Sequence, residues 1–200
     1  MSKDKQATLV IASRLLGYPS DQFVKELKDI QLLIEDAIES TEIKEEFQET
    51  LKFLSVKSLR DIQELYVETF DLKTKTGLYL TAHEMGDSNR RGLALIKLQK
   101  IINEAGFERL SEELVDYIPM LMEFLAVAPD SNEKDRLEYR LAVVLQRIRE
   151  NLAQHTPYSR ILKILMNHVF PNPSKEEIEQ LENNREEADL EELPYPIMYQ

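Results

Sequence analysis

The chain is 200 residues long, room for one domain or one domain with a tail, and its 42% hydrophobic share supports a sizeable core. It has no cysteine, which excludes disulfides, thiolate metal sites and cysteine nucleophiles. A formal charge of −12 argues against nucleic acid, because phosphate binding rests on clustered Lys and Arg, and favours a basic partner or plain solubility.

No stretch approaches the roughly 20 continuous apolar residues of a membrane span, and the apolar run near the start lacks a small-residue cleavage site. A cytoplasmic protein without membrane insertion is expected. Five glycines, eight prolines and no alternating apolar–polar pattern point to an all-α fold. The spacing of apolar residues predicts about eight helices in a single-domain bundle.

The first helix is expected over Thr8–Leu16, with Leu9, Ala12, Leu15 and Leu16 on one side and Gly17-Tyr18-Pro19 as its stop. Ser20 caps a second, running to about Glu39 along Phe23, Leu27, Ile30, Ile34 and Ala37. A third covers Thr41–Leu54. Ser58 and Asp61 form a capping-box-like start to the fourth, whose stripe is Leu59, Ile62, Leu65, Tyr66 and Phe70. Asp87 is the expected N-cap of a fifth helix over Ser88–Ala105, closed by Gly106. A sixth starts at Ser111 or, because Pro119 disrupts a helix interior, truly begins near Val115–Pro119. The longest runs from Asn132 to about Gln154, and Thr156-Pro157 opens an eighth through Val169. Residues 1–170 thus form the helical domain. Residues 171–200 read as an acidic, solvated and partly disordered tail, with Ser174 and Glu177 able to cap a short helix.

The stretch Tyr66–Gly92 breaks this pattern. It is longer than the usual connection in a bundle, and Leu78, Tyr79 and Leu80 give it apolar anchors, so it reads as a functional loop packed on the body. Enzyme signatures fail one by one. His83-Glu84 has no second histidine four residues on, and no phosphate loop, dinucleotide loop or nucleophile elbow occurs. The run Met85–Gly92 could hold an anion at a helix start, or be a capped helix start with surface arginines. No catalytic residues, no metal site and no cofactor of its own are expected.

Tyr66–Asp71, then Leu78–His83, Gly86-Asp87 and Arg90-Arg91-Gly92 resemble the pattern of the NarJ family, the delta subunits of respiratory nitrate reductase. Gly106-Phe107, Glu113–Pro119 and Glu123–Ala126 extend the likeness, which spans roughly residues 7 to 170. The resemblance implies an all-helical cytoplasmic chaperone, similar to the wider TorD/DmsD group. Such a protein binds the apo catalytic alpha subunit of nitrate reductase through its N-terminal segment and supports molybdenum cofactor insertion before membrane attachment. The wider group often carries a Glu-Pro-x-Asp-His motif. This chain has Ala128-Pro129-Asp130-Ser131-Asn132 there, which puts direct cofactor or nucleotide binding in doubt.

A net-acidic helical surface with an apolar groove suits a basic amphipathic segment. On this reading Tyr66, Phe70, Tyr79 and Leu80 wall a groove with Phe124 beneath, although each aromatic could equally be plain core. Asp71, Glu84, Asp87 and Glu123 pair basic residues of the peptide, and His83 makes binding pH-sensitive. Arg90 and Arg91 contact the client or cap local carboxylates. A monomer or weak dimer is expected. The alternatives are a chaperone for another molybdoenzyme or a twin-arginine signal peptide, a nucleotide hydrolase using Arg90 and Arg91, and a subunit retained in the finished complex.

Overall fold

Hydroxyl side chains start most of the helices. The computed structural model describes residues 1–108 and 113–190, with the backbone alone for 182 and 184–190. Helix α1 (Lys3–Leu16) begins at Lys3 rather than Thr8 because the Ser2 hydroxyl accepts the Lys5 N–H at 3.3 Å. Ser40 does the same for α3 (Thr41–Ser55), whereas α2 (Phe23–Ala37) starts after Gln22 without a side-chain cap. The Ser20 hydroxyl is occupied nearby, accepting from the Gln22 N–H and donating to Glu26. At α4 (Leu59–Tyr66) the capping box is complete: Ser58 accepts from the Asp61 N–H while the Asp61 carboxylate accepts from the Ser58 N–H. Ser131 opens α8 (Asn132–Asn151) and Thr156 opens α9 (Pro157–His168), each accepting from the N–H three residues on.

The all-α bundle expected from the sequence is what forms, with ten α-helices rather than about eight among the described residues. One extra helix, α5 (Leu80–Met85), lies inside the central loop. The other is α10 (Lys175–Leu190), in the stretch expected to be a solvated tail. Its start is a second reciprocal cap, Ser174 with Glu177, and it lies against α5 and α8 with Leu181 packed on the core. The end of the expected tail, 191–200, lies outside the described residues.

Helix α6 (Arg90–Glu104) starts two residues later than expected. Asp87 is not its cap; the Ser88 hydroxyl accepts the Arg90 N–H at 3.2 Å. Helix α7 (Ile118–Val127) begins at Ile118, with Pro119 in its first turn where a missing N–H costs nothing. The alternative start at Ser111 lies outside the described residues.

Packing follows the apolar stripes. α1 sits at the centre against α2, α7 and α9, while α3 lies on α2 and α9. Helix α7 is apolar nearly all round and is correspondingly buried between Ile118 and Ala126 except at Met120 and the exposed Glu123. α8 runs along α9 and carries Leu137, Leu141, Val144, Leu145 and Ile148 into the core. This leaves α5 between α8, α6 and α10, held from three sides.

Candidate functional site

Backbone pairing sets the site. The Leu80 N–H donates to the Asp116 carbonyl and the Ile118 N–H to the Leu78 carbonyl, both at 2.9 Å, which pairs Tyr79 with Tyr117 in a short antiparallel bridge. Ahead of it, α4 widens into one π-helical turn over Val67–Asp71, a distortion common at functional sites. Behind it, Gly86 ends α5 at φ 56°, ψ −135°, a region closed to side chains with a Cβ.

Below the bridge lies a buried polar tie. Asp116 is fully buried, and one carboxylate oxygen accepts the Thr81 N–H at 3.2 Å, the Thr81 hydroxyl at 2.5 Å and Arg91 Nη2 at 3.3 Å. Arg91 Nε also donates to the Thr81 hydroxyl at 3.1 Å. Glu84 meets Arg140 in a two-point pair at 2.7 and 2.6 Å, which holds the guanidinium firmly charged. His83 is buried between Arg147 Nη1, 2.5 Å from its Nδ1, and the Gly77 carbonyl, 2.6 Å from its Nε2. A guanidinium only donates, so Nδ1 accepts from Arg147 and Nε2–H donates to Gly77. Helix α5 is thus fixed to α8 by two arginines seven residues apart on one face.

Above the bridge lies an aromatic, acidic rim. Tyr66 packs edge-on against Tyr18, Phe70 and Tyr158, and its hydroxyl lies 3.1 Å from that of Tyr117. Tyr79 stacks obliquely on Tyr117 at 5.5 Å and donates to Glu113 at 2.9 Å. Burial pushes the Tyr66 phenol far above its ordinary range, helped by Tyr117 and Asp71, and burial with Glu113 does the same to Tyr79; burial also pushes Tyr158 up strongly and raises Tyr117. Partial loss of hydration at its inner edge also raises Asp71, whose charge reaches Tyr66 and Tyr117. Tyr18, Asp71 and Glu113 face solvent, and Tyr79 is half-exposed.

The expected groove is therefore divided. Its walls are core: Tyr66 is 4% exposed, Phe70 3%, Leu80 0% and Phe124 7%. His83 and Glu84, expected to meet a peptide, are instead bound to Arg147 and Arg140, and Arg91 takes the second of its two expected roles, capping a local carboxylate, Asp116. Glu123 lies apart on α7, accepting from Ser13 of α1 at 3.0 Å, and Phe124 packs edge-on against Phe107. Asp87 and Arg90 are exposed at the start of α6. With Arg91 turned inward, the paired arginines do not form an anion clamp.

The site residues that sequence reasoning missed are Tyr18, Glu113, Asp116, Tyr117, Arg140 and Arg147. The signal for the arginines was their position, two cations at helical spacing on an otherwise apolar face of α8. In the α7–α8 loop, where the chain departs from the Glu-Pro-x-Asp-His pattern, the buried Lys134 ammonium donates to the Ala128 carbonyl at 2.7 Å and to Asp130 at 3.0 Å. Among the described residues no group of His, Asp or Glu is placed to hold a metal ion, and no helix is long and apolar enough to cross a membrane.

These features define a class: an all-helical scaffold that locks a central loop from beneath and presents an aromatic, acidic rim above it. Residues 21–159 match the family described as the nitrate reductase delta subunit, and the chain belongs to that family. It is 30% identical over 163 residues to the probable nitrate reductase molybdenum cofactor assembly chaperone NarJ of Bacillus subtilis, covering 82% of this chain and 88% of that one. The nitrate reductase molybdenum cofactor assembly chaperone NarJ of Escherichia coli is 29% identical over 163 residues, 79% of this chain and 67% of its own. The probable chaperone NarW of the same organism is 28% identical over 184 residues, 90% and 76% of the two chains. The names of these relatives describe assembly chaperones, not catalysts.

Proposed function

We propose that this chain is a chaperone that holds the apo catalytic subunit of a nitrate reductase by its N-terminal segment while the molybdenum cofactor is inserted, and takes no part in catalysis. The observation that carries this reading is the near end-to-end similarity to the Bacillus subtilis assembly chaperone. The cofactor is the client's cargo; the buried Lys134 clamp fills the loop where the wider group's motif would lie.

The rim supplies the grip. A basic amphipathic segment places its cations against Asp71 and Glu113 and its apolar face on Tyr18 and Tyr79. Tyrosine gives large contact area with few rotors to freeze, and its ring face also attracts cations. The net charge of −12 steers such a segment in and sets the rate of encounter more than the affinity. Asp87 and Arg90 lie at the α6 start, where the body of the client can reach them.

The test is capture of the client's catalytic subunit from cells that make it with and without cofactor. The wild-type chain is expected to retain the cofactor-free form selectively, and the Asp71→Lys/Tyr79→Ala variant to lose at least tenfold in affinity for a peptide copying the client's N-terminus. Equal capture of mature and cofactor-free enzyme overturns the function. Unchanged peptide affinity in the folded variant overturns the rim.

A further inference from the structure

A second surface has the opposite charge. Between α2, α3 and α4 lies a groove of about 590 Å³ with an apolar floor that includes Leu27, Leu51 and Leu59. Val24 stands at its edge 63% exposed. Acidic residues outnumber basic ones in this chain by 37 to 25, yet among the described residues no carboxylate lines this groove and Lys28, Lys52 and Lys57 do.

Local structure does not account for all three lysines. Lys52 lies in the last turn of α3, where a cation offsets the partial negative charge of the helix end. Lys57 sits 5.0 Å over the Phe53 ring, with its charge also reaching Asp61. Lys28 is in the middle of α2, exposed, with no such role, and neither Lys28 nor Lys52 is ion-paired among the described residues. At the Gln48 end, Glu35 is already bonded to Gln48 at 2.7 Å and paired with Lys44 at 3.8 Å.

We infer that this groove docks an acidic amphipathic helix of a partner protein, its apolar residues on the floor and its carboxylates against Lys28, Lys52 and Lys57. Helix-in-groove recognition needs this combination of an apolar trough and flanking charge. Charge sorts the two surfaces: the rim takes a basic segment, the groove an acidic one, and each repels the other's ligand. The inference stands apart from the client-holding role, because it rests on different residues.

The experiment uses the full chain and two synthetic helical peptides of about 15 residues, the length at which an isolated helix becomes tenable. Both carry leucines at helical spacing; one is flanked by Glu, the other by Lys. The Glu peptide is expected to shift the NMR signals of Val24, Leu27 and Leu59, and to bind at least tenfold more weakly to Lys28→Glu/Lys52→Glu. It is also expected to weaken as added salt shortens the Debye length below about 10 Å. The milder Lys28→Gln/Lys52→Gln variant, lowered in affinity but unchanged in melting temperature, guards against misfolding. Equal binding of the Glu and Lys peptides in the groove, shifts confined to other surfaces, or undiminished affinity in the folded charge-reversed variant overturns the proposal. Client capture by the same variant is read separately, and its loss would count against the rim.

Discussion

Asp116→Ala is the sharpest probe of the buried tie. The substitution deletes three hydrogen bonds to one oxygen and leaves the Thr81 N–H and the Thr81 hydroxyl proton without an acceptor, with the hydroxyl oxygen keeping only its bond from Arg91 Nε. An orphaned buried polar group costs about 1–3 kcal/mol. The Arg91 side chain is 23% exposed and can turn to water, so its share is discounted to about 1 kcal/mol. The sum is about 3–7 kcal/mol, which for a chain of this size lowers the melting temperature by about 6–28 °C. Asp116→Asn is gentler, at about 1–3 kcal/mol, because it keeps an acceptor for Thr81. Its amide N–H₂ lands where the second carboxylate oxygen has no hydrogen-bond partner among the described residues. Urea melts of Asp116→Asn, Arg91→Met and the double variant close the cycle, with an expected coupling of about 1 kcal/mol or more. Arg91 is the discriminating residue. Stability unchanged in Arg91→Met together with weakened client binding would show that it serves the partner and not the fold, and strict additivity in the cycle would refute the tie.

Gly86→Ala forces a Cβ into backbone space reserved for glycine, and is expected to cost about 1–3 kcal/mol in chemical denaturation; wild-type stability would mean that the turn relaxes freely. Of the eight tyrosines, the phenols of Tyr66, Tyr79, Tyr117 and Tyr158 are held above the ordinary value of 10. They therefore contribute stability that is present below pH 10 and lost as pH rises beyond it, because the unfolded chain gives up those protons first. A spectrophotometric titration should show the four ionising only as the protein unfolds. Asp71 is raised from 3.8 by partial loss of hydration, so its contribution to stability is likewise present at low pH and lost as pH rises through its folded value. Its ionised form is the one that meets a cation, so peptide affinity should fall on acidification, and less steeply in Asp71→Asn.

Local signals in the sequence carried the fold a long way. Ser58, Ser131, Thr156 and Pro119 start helices because a hydroxyl or a missing N–H satisfies the first turn wherever the rest of the chain lies. The stripe along Leu137, Leu141 and Ile148 is local in the same sense. The site was less legible because it is built by pairing across distance. Tyr79 meets Tyr117, His83 meets Arg147, and nothing near His83 in sequence announces an arginine waiting on α8. Arginine also reads as surface by type, so Arg140 and Arg147 hide in an apolar stripe. The acidic stretch after Pro171 was legible in part: the cap at Ser174 and Glu177 is local and could be read, but composition favours solvation, and the seat on α5 and α8 that extends the helix to Leu190 is a contact across distance.

The runs that carry the family likeness hold two sets of side chains, one turned inward and one that a partner can reach. Thr81, His83, Glu84 and Arg91 turn inward to Asp116, Arg140 and Arg147, and their work is to hold α5 and the Tyr79–Tyr117 bridge at one height. A partner can reach Tyr18, Asp71, Tyr79 and Glu113. Specificity among clients is a difference of affinities, and a few rim contacts worth about 1–3 kcal/mol in total correspond to roughly 5- to 150-fold preference. Exchanging those four residues with the corresponding residues of a relative that serves another client should therefore move peptide preference by that order, with melting temperature little changed. Exchanging the inward set should do the reverse, altering stability while preference stays put. Preference that followed the inward set would mean that the buried ties themselves open to the client, and that the loop is a gate and not a platform.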